Sequence, residues 1–332
     1  MKISRDVVRR IYDAPPESWM AGCARIIALV GSRVRLRLMK KTFQMISEHY
    51  RDGLLASDFR FGKAIEDGTF FKRTLDFYRD EKLGCYNFNG VQFPFLNDKF
   101  GGGCSSDALY LVFFEVLLIH CLYGGNYDKF LVSALGNLYD EGGPYELEDG
   151  NFDVRVKPGD VVVDAGAWCG DFGAYAALKG ATTYAFEISE TTFRYLEKTV
   201  ALNEGKIVPV KMGLSNSCEV MGVLSARGWM WNGLVSSSPG SDTCEKVEVT
   251  TLDAFVQEKK IKKIDFIKAD IEGAERDMLE GTAYVLKTFA PKLAICTYHL
   301  PDDPQVLRDR ILSANPRYTI VQMRHKLYAC VC

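Results

Sequence analysis

The stretch Val161-Val-Val-Asp-Ala-Gly-Ala-Trp-Cys-Gly-Asp-Phe-Gly173 most constrains what this chain can fold into. Three β-branched residues run into an acid, then a glycine-bounded turn, then the alanine-rich segment from Ala174 to Gly180. A parallel strand covered on both faces reads as a continuous apolar run, and glycine lets the chain turn sharply after it. The helix that follows is expected to begin between Ala167 and Asp171, its free N–H groups and positive dipole end facing a crevice. Glycine spacing then separates two ligand classes. A dinucleotide fingerprint needs G-x-G-x-x-G, whereas here three residues separate Gly166 from Gly170. Asp164, at the strand end, is poorly placed beside a pyrophosphate. It suits a cationic ligand, such as the ammonium and sulfonium groups of S-adenosylmethionine. A plain structural turn with a capping acid is the alternative.

From Glu141-Gly-Gly-Pro144 onward the pattern alternates between strands and helices, which implies a parallel sheet with helices on both faces. Strands are expected at 161–164, 182–187, 207–212, 264–269 and 292–297, with helices at 171–179, 190–203, 274–287 and 302–314. Thr251 should cap a further short helix. Residues 318–324 and 326–331 read as a closing antiparallel pair. Seven strands result, six parallel and the last reversed. This is an α/β, Rossmann-like arrangement of the class I methyltransferase type, since a dinucleotide domain seldom ends in such a hairpin. Two less regular β-like pieces, 219–224 and 246–250, flank a loop that holds Trp229 and Trp231.

Residues 1–140 read as a mainly helical accessory region, with helices at 19–30, 34–50, 70–82, from Ser105 or Ser106 to Leu122, and at 129–139. One exception is Asn87-Phe-Asn-Gly-Val-Gln-Phe93, where Asn-Gly between aromatics signals a hairpin. The domain boundary is therefore drawn at 140/141. The first 51 residues hold eleven Lys/Arg against four Asp/Glu, about +7, so the remainder carries about −9 of the total −2. A net charge of −2 argues against a nucleic-acid binder, although the basic arm would suit a peripheral membrane surface. The apolar run from Ala108 to Tyr123 is too short for a bilayer and holds Glu115 and His120. Met1-Lys-Ile-Ser-Arg-Asp turns polar at once, and the ten cysteines lack CxxC pairs. Reduced thiols in a cytoplasmic protein are expected.

Ligands of a doubly wound sheet bind beyond the carboxyl ends of its strands. Three acids fall there: Asp164, Glu187 and Asp270. Unless a ligand or metal separates them, such like charges repel. Glu187 can accept two ribose hydroxyls, and Met212 with Gly213 could flank an adenine or simply exit the strand. Lys268, inside an apolar strand, requires a carboxylate partner. Glu272 and Glu275 could serve the site or only the helix N-terminus. His299, after the fifth strand, is placed to take a hydroxyl proton.

Residues 145–331 resemble the FkbM-type methyltransferase family. The resemblance rests on Gly159-Asp-Val-Val-Val-Asp-Ala-Gly-Ala-x-x-Gly170, Phe186-Glu187, Val249-Thr-Thr-Leu-Asp253 and Phe266-Ile-Lys-Ala-Asp-Ile-Glu-Gly-Ala-Glu275. It implies S-adenosylmethionine as cofactor, held around Asp164, Ala165, Gly166, Ala167, Gly170, Glu187, Ile188, Met212, Gly213 and Asp270. It implies O-methyl transfer, often to sugars, with Glu272, Glu275 and His299 near the acceptor. Trp168 stands where the family usually has asparagine, and Ile188 where a proline often follows the acid.

An O-methyltransferase acting on a sugar or glycan hydroxyl is the expectation. His299 or Asp270 would accept the proton, Glu272 would assist, and Trp229 and Trp231 would form a stacking wall or only pin their loop. Mg²⁺ held by Asp270, Glu272 and His299 is a less favoured variant. An NAD(P)-dependent sugar oxidoreductase or epimerase and a catalytically silent scaffold are the rivals. The missing G-x-G-x-x-G and the lack of a suitably placed Tyr-x-x-x-Lys weigh against the oxidoreductase.

Overall fold

The computed structural model describes residues 79–88, 90–95, 145–203, 206–225, 232–235, 245–323 and 326–331. The chain divides into two compact units, residues 1–82 with 109–144, and residues 83–108 with 145–332. The helices expected before residue 79 and over 105–139, and the apolar run at 108–123, lie outside the described residues. Arg79–Asp80 is extended, so the helix expected over 70–82 does not reach its end.

The second unit opens with a hairpin of β1 (Cys85–Phe88) and β2 (Val91–Pro94). Phe88 pairs with Val91 at the closed end of the hairpin, and Gly90 in the connection has φ +100°. A turn of this kind needs positive φ, and glycine adopts it without steric cost. The sequence places this hairpin beside the helical region, but it packs on the α/β unit. Asn203 accepts from the Gln92 N–H at 3.1 Å and donates to the Gln92 carbonyl at 2.7 Å. A second hairpin, β3 (Leu147–Asp149) and β4 (Phe152–Val154), follows.

The central sheet is assembled from β5 (Val161–Ala165), β6 (Thr182–Phe186), β7 (Ile207–Val210), β12 (Phe266–Ala269), β13 (Lys292–Cys296), β14 (Thr319–Met323) and β15 (Lys326–Cys330). Its order is β14-β15-β13-β12-β5-β6-β7. All neighbours are parallel except those of β15, which runs against both β13 and β14. The expected six-plus-one arrangement is what forms. Between β7 and β12 lies a smaller sheet of β8 (Gly213–Leu214), β9 (Glu219–Ser225), β10 (Asn232–Val235) and β11 (Glu245–Thr250).

Helices α1 (Asp171–Leu178), α2 (Glu190–Leu202), α3 (Leu252–Glu258), α4 (Glu275–Glu280), α5 (Ala283–Thr288) and α6 (Asp303–Ala314) complete the unit. Ser189 caps α2 and Thr251 caps α3, each through its side-chain oxygen. Every residue of β12 and the last four of β5 are buried, as a strand covered on both faces requires. Phe186, Leu252, Ile267 and Leu293 lie at the centre of this core, each worth about 1.5–3 kcal/mol on burial.

The single helix expected over 274–287 is broken into α4 and α5 at Gly281-Thr282. A Cβ at Gly281 would lie 2.1 Å from the Ser215 carbonyl oxygen, so backbone passes directly over backbone there. The break follows from that close approach. Gly281→Ala should destabilise the protein by about 1–3 kcal/mol in urea unfolding, because φ is ordinary at −76° and only the contact resists a methyl group. A change under about 0.5 kcal/mol, the range of a neutral surface substitution, would contradict the contact.

Candidate active site

The strand order reverses between β5 and β12, and the turns that leave those strands meet at their carboxyl ends. Gly166 has φ +73°, and a Cβ on it would lie 1.9 Å from the Asp270 carbonyl oxygen. Only glycine allows that contact. Gly170 has φ +88° and is the N-cap of α1, where a Cβ would press on Leu196 and Thr199 of α2. Trp168 between them also has positive φ, +48°, which a bulky residue rarely adopts and asparagine tolerates better. Its N–H donates to Glu187 Oε2 at 2.9 Å. The hydrogen bond across the turn is thus made by backbone, and Trp168 keeps it without an asparagine side chain.

Asp164 is fully buried, and its register partner across the sheet is Lys268. Lys268 Nζ lies 3.0 Å from Asp164 Oδ1 and donates to the carbonyls of Gly166 at 2.6 Å and Ala165 at 3.3 Å. Burial opposes the ammonium charge. The carboxylates of Asp164, Asp270 and Asp171 more than offset it, so the Lys268 pKa lies above its ordinary range. Asp164 thereby holds the lysine that shapes the Gly166 turn.

Glu187, at the end of β6, accepts from the N–H groups of Trp168 and Ser189, the latter at 2.7 Å on Oε1. Burial pushes its pKa up. The Thr192 hydroxyl also bonds this carboxylate, which has about four acceptor positions, so about one remains. Ala165 and Ala167 are buried in the same turn, whereas Ile188 packs beside Val247 and Val249. Met212 packs on the main core, and Gly213 starts β8 by pairing with Val249.

Asp270 lies beyond β12 and accepts from two phenols, Tyr145 at 2.8 Å on Oδ2 and Tyr298 at 2.9 Å on Oδ1. Burial disfavours its charge, but Lys268, His299 and the Tyr145 hydroxyl hold its pKa below the ordinary carboxylate value. Neither tyrosine is evident from sequence spacing. Tyr145 comes from before the sheet and sits with the ammoniums of Lys268 and Lys326 each 5.1 Å from its ring centre. Aromatic faces and buried lysines this close attract one another.

His299 is gripped by acids on both edges. Nε2 is 3.3 Å from Glu272 Oε2 and 3.6 Å from Asp270 Oδ1, and Nδ1 is 3.1 Å from Glu275 Oε1. Burial alone would favour the neutral ring, yet Glu272, Glu275 and Asp270 push its pKa up to about 10. The surrounding acids thus bias the imidazole towards its charged form. Glu275 is fully buried, and its oxygens accept from Ile271 N at 2.8 Å and Gly273 N at 3.0 Å. It staples the turn and orients His299, so it offers no surface to an acceptor. Glu272 is the most open of the group, its side chain 24% exposed, and it sits at φ +56°. Trp229 and Trp231 lie outside the described residues.

The three strand-end acids do converge, but each has its own partner: Lys268 for Asp164, amides for Glu187, phenols for Asp270. An α/β sheet with a glycine turn, an acid for a ribose hydroxyl and a charge-balanced acid cluster can hold a nucleoside cofactor beside an acceptor hydroxyl. Residues 161–324 match the model described as the methyltransferase FkbM domain. That segment, just under half of the chain, is similar to this family.

A 155-residue stretch is 27% identical to the hexuronic acid methyltransferase AglP of Haloferax volcanii. The match spans 46% of this chain and 61% of that protein, so less than two thirds of the relative is represented. Similar solved structures include methyltransferase FkbM from Methylobacillus flagellatus, at 21% identity and a TM-score of 0.43, over 68% of this chain and 60% of that one. Fibrillarin from Aeropyrum pernix, solved with natively bound S-adenosyl-L-methionine, follows at 12% identity and a TM-score of 0.33, over 55% and 70%.

If the ion pair shapes the turn, Lys268→Met should cost about 3–5 kcal/mol in chemical unfolding, since it leaves Asp164 buried without a counter-charge. Adding Asp164→Leu should recover most of that loss. A double variant as unstable as the single one would contradict the pairing.

Proposed function

We propose that this chain is an S-adenosylmethionine-dependent O-methyltransferase acting on a hydroxyl of a sugar or glycan, with residues 141–332 as catalytic domain and 1–140 as accessory region. The match of residues 161–324 to the methyltransferase FkbM domain carries this reading. The name of the Haloferax relative supports an acidic sugar as acceptor. Free thiols at Cys218 and Cys296 support a reducing, cytoplasmic setting. No helix among the described residues is long and apolar enough to cross a membrane.

The residues present fit the cofactor. Glu187 keeps about one acceptor position for a ribose hydroxyl. Asp270, held anionic and partly exposed, is placed for the cationic amino end. The Gly166–Gly170 turn supplies the wall between them. When bound there, S-adenosylmethionine supplies a methyl group on sulfonium, which passes to the acceptor oxygen as the carbon–sulfur bond breaks and sulfur keeps the pair.

The chain's own work is positioning and proton removal. Holding the hydroxyl in line is worth up to about 7–11 kcal/mol in favourable intramolecular cases. The hydroxyl proton passes to Glu272. Asp270 is assigned to the cofactor, Glu275 is sealed in and the acids around His299 favour its charged form, so Glu272, the most open of the group, is assigned as the base. Burial raises its pKa, which makes it the better base. Trp229 and Trp231 are assigned to stacking on the sugar.

With cofactor saturating, Glu272→Gln should lower turnover by about 10²–10⁴-fold and leave the affinity for S-adenosylhomocysteine within twofold. Glu187→Ala should do the reverse, weakening that affinity in calorimetry. Unchanged turnover in the first variant would remove Glu272 as the base. Failure of the wild type to bind S-adenosylhomocysteine would overturn the whole reading.

A further inference from the structure

The described residues bring one imidazole and two carboxylates to a common point: His299 Nε2, Asp270 Oδ1 and Glu272 Oε2 lie within 4.8 Å of one another. The separations from Nε2 are 3.3 Å and 3.6 Å. A tetrahedral ion with bonds of about 2.1 Å sets neighbouring ligand atoms about 3.4 Å apart. The two distances bracket that value.

Three further observations point to a ligand. His299 is 7% exposed, and no hydrogen bond of ordinary geometry ends on either ring nitrogen, which leaves Nε2 a buried polar atom aimed between two acids. On the ring's other edge, Nδ1 faces Glu275 Oε1 at 3.1 Å, the arrangement in which a carboxylate fixes the tautomer of a metal-binding histidine. Glu275 is itself pinned by two backbone amides, so the ring cannot swing away. Asp270, finally, is oriented by Tyr145 and Tyr298, as ligating carboxylates commonly are.

The opposite side of the ring offers a competing trio of Glu275, His299 and Asp303. Its carboxylates are already committed, Glu275 to the amides and Asp303 to Arg276 Nε at 2.7 Å and Leu300 N at 2.8 Å. On the Nε2 side Asp270 is equally committed, to Tyr145 and Tyr298, but Glu272 is partly exposed and leaves that point open to an entering ion.

We propose that Asp270, Glu272 and His299 form a binding site for one divalent cation, with open coordination positions on the Glu272 side. One nitrogen and two oxygens favour a borderline ion such as Zn²⁺ or Mn²⁺ over Mg²⁺, which prefers a shell of oxygens and water. The cation takes the place of the proton on Nε2. Its open positions suit hydroxyl oxygens, such as those of an acceptor sugar. Only this last step rests on the methyltransferase reading; the binding does not.

The test is titration of the full chain with Mn²⁺, free ion followed by electron paramagnetic resonance. One equivalent should bind in the wild type. Glu272→Gln and His299→Gln should each weaken it by at least tenfold. Glu275→Gln, which touches only the ring's other edge, should weaken it about 10–100-fold. Glu272 is partly exposed, so its variant keeps the test open should a His299 variant fail to fold. Absence of a stoichiometric site, or equal binding by wild type and Glu272→Gln, overturns the proposal. S-adenosylhomocysteine affinity is measured on the same samples. Loss of that binding with Mn²⁺ still held would count against the methyltransferase reading and not against the metal site.

Discussion

A charged pair in the middle of the sheet, Lys268 on β12 against Asp164 on β5, is the interaction on which the site depends. Both side chains are removed from water, where an uncompensated charge would be costly. The lysine does more than neutralise an acid. Its ammonium also takes the Gly166 carbonyl and shares the Ala165 carbonyl with the Asp270 N–H. The turn after β5 is thereby locked against the turn after β12, and the absent Cβ of Gly166 lets the two backbones touch. Loss of the lysine would leave the Gly166 carbonyl and a buried acid without their donor at the same place.

From that fixed edge the rest follows by charge balance. Three acids from different strands share one rim, and they coexist because the fold gives each a separate donor. Around His299 the balance is different: three carboxylates surround a single ring, an excess of negative charge for one proton to offset. Strain gathers here too. Trp168 and Glu272, one in each of the two facing turns, hold positive φ without being glycine. Such backbone costs of order 1–3 kcal/mol per residue and tends to persist where a side chain is needed in place.

Much of the fold was legible because its signals are local. The apolar run at 161–164, the 85–94 hairpin and the Thr251 cap each act over a few residues, and all appear. The need of Lys268 for a carboxylate was also readable, since a lone cation inside a strand has few alternatives. Non-local contacts were not legible. The break at Gly281 depends on Ser215, 66 positions earlier in the numbering. Tyr145 and Tyr298 reach Asp270 from separate segments, and no spacing rule links them. The partners of Asp164, Glu275 and His299 were hidden for the same reason. Sequence places an acid or imidazole near a strand end, but only packing supplies its neighbours.

The central claim, that a rigid rim built on the Lys268–Asp164 pair presents Glu187 and Asp270 to a nucleoside cofactor, is tested most directly by amide hydrogen exchange with and without S-adenosylhomocysteine. Saturating ligand should slow exchange at residues 166–170, 187–189 and 270–273 together, and leave the Gly281 break and the 85–94 hairpin unchanged. Protection confined to segments away from the carboxyl ends of β5, β6 and β12, or none at all with ligand bound, would contradict it.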